Sequence, residues 1–269
     1  MSGRNAVPGR SVTSKMFGIL EVFTGERTEW SLSDIARSSG LPTSTAHRLL
    51  QELVDWGGLE RTSGGNYTVG IRLWEVAARA NRTYGMRETA LPFLQGLWET
   101  THAHVLLAVL DGHQAILVEK ISGTRDVPPV GRAGGRLPLH ASAVGKVLLA
   151  HASPDLQQQI VDGPLEAYTS ATITDPTELR YEMARVRRSG TATSVEELTP
   201  GSASCAALAV GPPEIGRAAI SLLSTPGSRD LREMTSLVKS AARGLAYALS
   251  NVETTHPIAP RLPRAWSSR

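Results

Sequence analysis

The chain has 269 residues, 41% of them hydrophobic and 20% charged, enough for one large or two ordinary domains with packed cores. One cysteine, Cys205, excludes an internal disulfide and a cysteine-based zinc site. The opening MSGRNAVPGR lacks the apolar centre of a secretory signal, and no apolar run approaches the roughly 18 residues of a membrane helix; the expectation is a soluble cytoplasmic protein with no membrane partner. The net charge of +3 resides in the two tails (Arg4 and Arg10; Arg261, Arg264 and Arg269), so charge alone does not point to nucleic acid.

Residues 1–10 are rich in Gly, Pro, Ser and Arg and read as a disordered tail. From Ser11 to Phe23 apolar residues recur with a helical period. A short helix fits Leu32–Ser39, with Ser31 as cap, Asp34 closing a capping box and Gly40 as stop. Pro42 opens a third helix, which runs to Trp56 and ends at Gly57-Gly58. LER and YTV then form a hairpin around TSGGN, completing a module over 11–70. A helix from Ile71 to Met86 bridges to the second half, giving a linker at 71–87. The domain at 88–251 begins with a helix over Glu88–Thr101 and two strands, HVLLAVLD and QAILVEKIS, joined by DGH. PPVGRAGGRLPLH precedes an apolar helix, SAVGKVLLAH, and further helices fit Pro154–Asp162 and Pro176–Arg188. Three strands follow (TATSVEE, SCAALAVG, RAAISLLST), then a helix from Arg229 to Leu249 and a disordered tail over 252–269. Short turns between strands make the sheet antiparallel and the class α+β.

The third helix has an unusual head. Ala46, Leu49, Leu50 and Leu53 share one stripe, while Ser44, His47, Arg48 and Gln51 face the other way, flanked by Thr43 and Thr45. A short helix, a glycine turn and a helix with a small polar head make a helix-turn-helix pattern. In that motif the second helix enters the major groove N-terminus first, and bulky residues there would block approach to the bases. Hydroxyls and amides bond phosphates, and arginine reaches guanine. The hairpin is then a wing, with Arg61 placed for the backbone or the minor groove. Protein-interaction modules share this outline, and Ser/Thr at a helix start is often only a cap; the pattern leaves both readings open.

Other constellations carry less. AVGK lacks the spacing and the final Ser/Thr of a phosphate loop, and Ser142 and Lys146 are four apart rather than three. The spacing leaves Lys146 solvated or bonded to a carboxylate. Cys205 lies in an apolar strand, which argues against a thiol nucleophile paired with His140. His102, His104 and His113 flank one hairpin, and a metal there needs further ligands. No cofactor fingerprint is present. Arg132 and Arg136 stand beside the apolar helix, whose N-terminal amides favour a carboxylate.

From Ser11 to Asn251 the sequence resembles the IclR family of bacterial transcriptional regulators. The matching stretches are ILEVF, SLSDIARSSGLPTSTAHRLLQELVDWGGLER and YTVG, then LPLHASAVGK, ITDPTELRYEMARVRRSG, CAALAV and AAISLLS. The resemblance implies a winged helix-turn-helix, a linker helix used in dimerisation, and a GAF-like effector-binding domain. It implies no enzymatic activity and a regulator, usually a repressor, of a catabolic operon. Its partners would be palindromic double-stranded operator DNA, a small organic acid or aromatic effector, and further copies of itself as a homodimer or homotetramer. The recognition positions carry over to Thr43, Ser44, Thr45, His47 and Arg48, with Thr43 where many members have Lys or Arg. The effector positions carry over to Ser142, Ala143, Val144, Ser194, Cys205, Ser221 and Leu223. Ser194 and Leu223 replace more polar or charged family residues, which implies a larger and less polar ligand.

Overall fold

A computed structural model of the chain describes residues 11–25, 27–78, 81–123, 131–213 and 215–251; for 81–84 it describes the backbone alone. Both predicted tails lie outside the described residues. The N-terminal module has α1 (Val12–Glu21), ending in a 3-10 turn at Val22–Thr24, then α2 (Leu32–Ser39), α3 (Thr43–Trp56), β1 (Leu59–Arg61) and β2 (Tyr67–Val69). Local chemistry fixes these ends. The Ser11 and Ser31 hydroxyls accept from the Ser14 and Asp34 amides at 3.0 and 3.2 Å. Gly40 and Gly57, at φ 66° and 81°, close α2 and α3 in the left-handed conformation that side chains disfavour. The Asp34 carboxylate pairs with Arg27, at 3.0 Å, and with Arg37.

Ile19, Ile35, Leu49, Leu50 and Leu59 are fully buried between the helices and the hairpin. Each such side chain contributes about 2 kcal/mol through apolar burial. Trp30 and Tyr67 exchange backbone hydrogen bonds of 2.9 and 2.8 Å, pinning the wing to the strand-like segment before α2.

The bridge differs from the sequence expectation. Helix α4 covers only Ile71–Ala77, and α5 runs unbroken over Asn81–Thr101. Met86, Ala90, Leu94 and Leu97 form one buried stripe along α5, so the core of the second domain reaches back to Met86. The stripe at helical spacing carries the helix through residue 87, and neither Gly85 nor Pro92 interrupts it.

The second domain is built on a six-stranded antiparallel sheet. Its strands are β3 (His104–Asp111), β4 (Gln114–Ile121), β5 (Arg136–Pro138), β6 (Thr191–Val195), β7 (Ala203–Val210) and β8 (Arg217–Ser224), in the order β5-β4-β3-β8-β7-β6. Helix α6 (Ala143–Ala150) packs on one face, covered by α7 (Pro154–Asp162) and α8 (Pro176–Ser189). Helices α5 and α9 (Leu231–Ser250) cover the other. The edge strand β5 lies inside the Gly/Pro-rich passage and carries no strand pattern of its own. Among the described residues no helix is long and apolar enough to cross a membrane.

Candidate DNA-reading helix and effector pocket

The stripe Ala46, Leu49, Leu50 and Leu53 anchors α3 in the N-terminal core. Its opposite side is presented outward: Thr43, Ser44, His47 and Arg48 are exposed and Thr45 is half-buried. Pro42 precedes the helix and makes no side-chain cap, so these hydroxyls are not needed to start it. Arg48 pairs with Glu52 one turn along, at 2.5 Å, with both side chains about half exposed. Such a pair contributes well under about 1 kcal/mol and yields readily to a stronger partner. On the wing, exposed Arg61 lies over the Tyr67 ring, 5.9 Å from its centroid, and makes no ion pair among the described residues.

Between residues 11 and 78 there are six Lys and Arg against eight Asp and Glu. The folded N-terminal module is therefore not basic overall. DNA affinity must come from where the cations and amides sit rather than from a general positive field.

The second candidate site is a small cavity between α6 and the sheet. It is bounded by the start of α6 (Ser142, Ala143, Val144), by Leu106 and Leu137, by Ser194, Ser204, Ser221 and Leu223 on β6, β7 and β8, and by Leu198, Thr199 and Ser202 from the β6–β7 connection. Six of the seven effector positions inferred from the resemblance line it. Its volume is about 30 Å³, room for one water. Pockets holding small organic ligands measure roughly 300 Å³ and upward, so the cavity must widen to take one.

The serines differ in how they are engaged. Ser142 donates to the Pro138 carbonyl at 2.7 Å and accepts from the Gly145 amide at 3.1 Å, capping α6. Ser194 donates to the Ala141 carbonyl at 3.0 Å, and Ser202 to that of Thr199 at 2.6 Å. Ser221, 1% exposed, and half-buried Ser204 make no side-chain hydrogen bond among the described residues. Both residues line the cavity, where their hydroxyls can meet a water or a ligand group. Gly145 sets the close approach: a Cβ there would lie 2.4 Å from the Pro138 carbonyl oxygen and 2.7 Å from Leu139 Cα.

Cys205 is not in the cavity. Its pairing partner on β8 is Leu222, and it packs in the core beneath α5 and α9; Ser204, one residue earlier, takes the cavity-facing position. The shift by one follows from the period of two along a strand. Burial pushes the Cys205 thiol up to about 11, and its side chain and that of His140 lie on different sides of the sheet, His140 bonding the Glu166 carbonyl. Arg136 pairs with Asp111 at 2.8 Å, and Arg132 donates to the Gly25 carbonyl; neither enters the cavity. His102 and His104 lie at one end of β3 and His113 beyond the other, some 20 Å away at strand spacing, where it bonds Gln159.

Lys146 takes the second of its two expected environments. It is 1% exposed and bonds both carboxylate oxygens of Glu197, at 2.7 and 2.9 Å, and Glu182 at 3.4 Å. Arg185 grips Glu182 through two hydrogen bonds of 2.7 Å. Burial raises the Glu197 carboxyl against the pull of Lys146. Burial also raises that of Glu182, but Arg185 and Lys146 together outweigh it and hold it low. Leu198, Thr199, Ser202 and Ser204 were not among the expected site residues. Strand β7 is buried on both faces and gives no signal for Ser204; the others belong to a connection without periodicity.

A winged helix-turn-helix joined to a sheet domain with an internal pocket defines a class of protein, the ligand-responsive DNA-binding regulators. Comparison with known proteins makes the class particular. The IclR helix-turn-helix model matches residues 12–63, and the model of the bacterial transcriptional regulator IclR C-terminal domain matches 79–251. The HTH-type transcriptional regulator XynR of Escherichia coli K12 is 31% identical over 237 residues, 86% of this chain and 94% of that one. The transcriptional repressor IclR of the same organism is 30% identical over 183 residues, 66% and 67% of the two chains. An IclR homolog from Microbacterium hydrocarbonoxydans, solved in complex with 4-hydroxybenzoate, superimposes with a TM-score of 0.83 at 32% identity, covering 89% of this chain and 99% of that one. The chain belongs to the IclR family: it is a DNA-binding transcriptional regulator with a C-terminal effector domain, in a family of regulators rather than enzymes.

Proposed function

We propose that the protein is a homo-oligomeric repressor of a catabolic operon, released from its operator by a small aromatic or aliphatic carboxylate. The observation that carries this reading is the pairing, in one chain, of an exposed hydroxyl-rich helix head with a small, hydroxyl-lined cavity. Thr43, Ser44, Thr45, His47 and Arg48 read one half-site, and Arg61 on the wing contacts the backbone. Phe17, Ile71, Trp74 and Val76 are apolar and more than half exposed on α1 and α4. A second copy covering them gives a dimer, or a dimer of dimers, matched to a palindrome.

In the effector domain, the first-turn amides of α6 at Ala143 and Val144 receive the carboxylate. Ser194, Ser204 and Ser221 offer hydroxyls, and Leu106, Leu137, Leu198 and Leu223 form the apolar wall. The relative complexed with 4-hydroxybenzoate supports a ligand of this size and chemistry. The effector acts by population shift: it binds one arrangement of the effector domains better and so changes the spacing of the two reading heads.

The test is selection of bound fragments from sheared genomic DNA at about 150 mM salt, where phosphate-only binding is weak. An enriched palindrome with half-sites one helical turn apart, or a multiple of it, is the expected result. A folded protein that enriches no sequence, with or without pooled carboxylates, would overturn the reading.

A further inference from the structure

One wall of the cavity is a single loop segment, and that segment is fastened in an unusual way. The β6–β7 connection, residues 196–202, supplies Leu198, Thr199 and Ser202 to the wall. It is a compact unit with a closed neck: the Glu196 amide donates to the Ser202 carbonyl at 2.7 Å, and the Gly201 amide to the Glu196 carboxylate at 2.9 Å. Glu196 sits at φ 56°, a left-handed conformation that a non-glycine residue holds only when its surroundings impose it.

Three side chains from outside the segment tie it down. Thr169 and Thr172 donate to the Glu196 and Glu197 carbonyls at 2.7 and 2.5 Å. Lys146, from the helix whose first turn forms the opposite wall, holds the Glu197 carboxylate through two hydrogen bonds. Burying an ion pair is weak evidence for stability, because an apolar pair of similar volume often does as well. A pair joining two walls of a narrow pocket has another use: it keeps them together until something separates them.

We propose that residues 196–202 are a lid over the effector cavity and that Lys146–Glu197 is its clasp, so that a ligand enters only when the lid swings about its neck. Lys146 and Glu197 are positioning residues; they act through the lid and not on the ligand. Affinity is then reduced by the fraction of time the lid is shut, and weakening the clasp removes part of that loss. The inference rests on the cavity being the effector site, but its test uses no effector.

The test is entry of a small aromatic disulfide reagent, 4,4′-dithiodipyridine, into the full-length protein. Ser221→Cys in a Cys205→Ala background puts a single thiol in the cavity. Its attack forms a mixed disulfide and releases thiopyridone, whose absorbance gives the rate. With the clasp intact the reaction runs at least 100-fold slower than for a free cysteine. Glu197→Gln accelerates it at least 10-fold, and Thr169→Ala, which loosens a tether without uncovering a buried charge, accelerates it several-fold. Amide exchange in the same variants rises at Glu196, Gly201 and Ser202 and stays slow in β7 and β8. Should exchange rise throughout the sheet in Glu197→Gln, Thr169→Ala decides alone. A thiol that reacts freely with the clasp intact, or a Thr169→Ala rate equal to that of the intact lid, overturns the proposal.

Discussion

Two parts of the chain are dense in small hydroxyl side chains, and they stand in opposite environments. The head of α3 exposes Thr43 and Ser44 on a helix that does not need them as caps. The cavity buries Ser142, Ser194, Ser202 and Ser221, and three of these four also bond the surrounding backbone. An exposed hydroxyl without a structural duty points outward, to a partner. A buried one is first a structural group, and only those left over, Ser204 and Ser221, are free to meet a ligand. In the function proposed above, one residue type serves a large rigid partner through exposure and a small one through enclosure.

The comparison can be broken most severely at Gly145. Gly145→Val forces a side chain into the Pro138 carbonyl and costs about 3 kcal/mol or more by overpacking. Urea unfolding followed at Trp98, which is half-buried in the second domain, is expected to show the loss, while the N-terminal module keeps its own transition.

One substitution made in both places sharpens the contrast. Ser44→Leu is expected to leave stability within about 0.5 kcal/mol and to abolish operator binding, because a bulky group stands between helix and bases. Ser221→Leu overfills a cavity of about 30 Å³, costs about 1–3 kcal/mol, removes the effector response and spares operator binding. Thermal melts and operator titrations on both proteins check the four outcomes.

Arg48→Ala is expected to lose about 1–3 kcal/mol of discrimination at one base pair, read by titrating operator variants, with effector binding unchanged. A smaller effect is expected of Thr43→Lys: one added phosphate contact steepens the dependence of log K on log salt by about 0.9. Smaller still is the behaviour of native Cys205. With its pKa near 11, about one molecule in a thousand carries the thiolate at pH 8, so thiol reagents should react only as the domain unfolds. Burial favours the neutral thiol, so stability linked to this group is intact below its ordinary pKa of 9.0 and is lost as pH rises through about 11.

What the sequence reveals follows the range of the interactions. Caps and stops are local, so Ser31, Gly40, Pro42, Pro154 and Pro176 mark helix ends that the structure reproduces. The amphipathic stripe of α3 is equally local: Ala46, Leu49, Leu50 and Leu53 are buried, and Thr43, Ser44, His47 and Arg48 are exposed, as the pattern implies. The strand SCAALAV is buried on both faces, so its apolar pattern does not say which residues face the cavity, and Cys205 is placed one residue out of phase. The edge strand β5 needs β4 beside it to exist. The Lys146–Glu197 pair joins residues 51 apart in sequence, and no spacing announces it.

The central claim is that one chain couples an outward hydroxyl head to an inward hydroxyl pocket. The most direct measurement is operator affinity, by fluorescence anisotropy, for the unmodified protein and for Ser221→Leu, each with and without a panel of small aromatic and aliphatic carboxylates that includes 4-hydroxybenzoate. At least one carboxylate is expected to weaken operator binding of the unmodified protein five-fold or more, the lower end of ordinary allosteric coupling, and to leave Ser221→Leu unmoved. A carboxylate that shifts both proteins equally would place the effector site elsewhere and contradict the account.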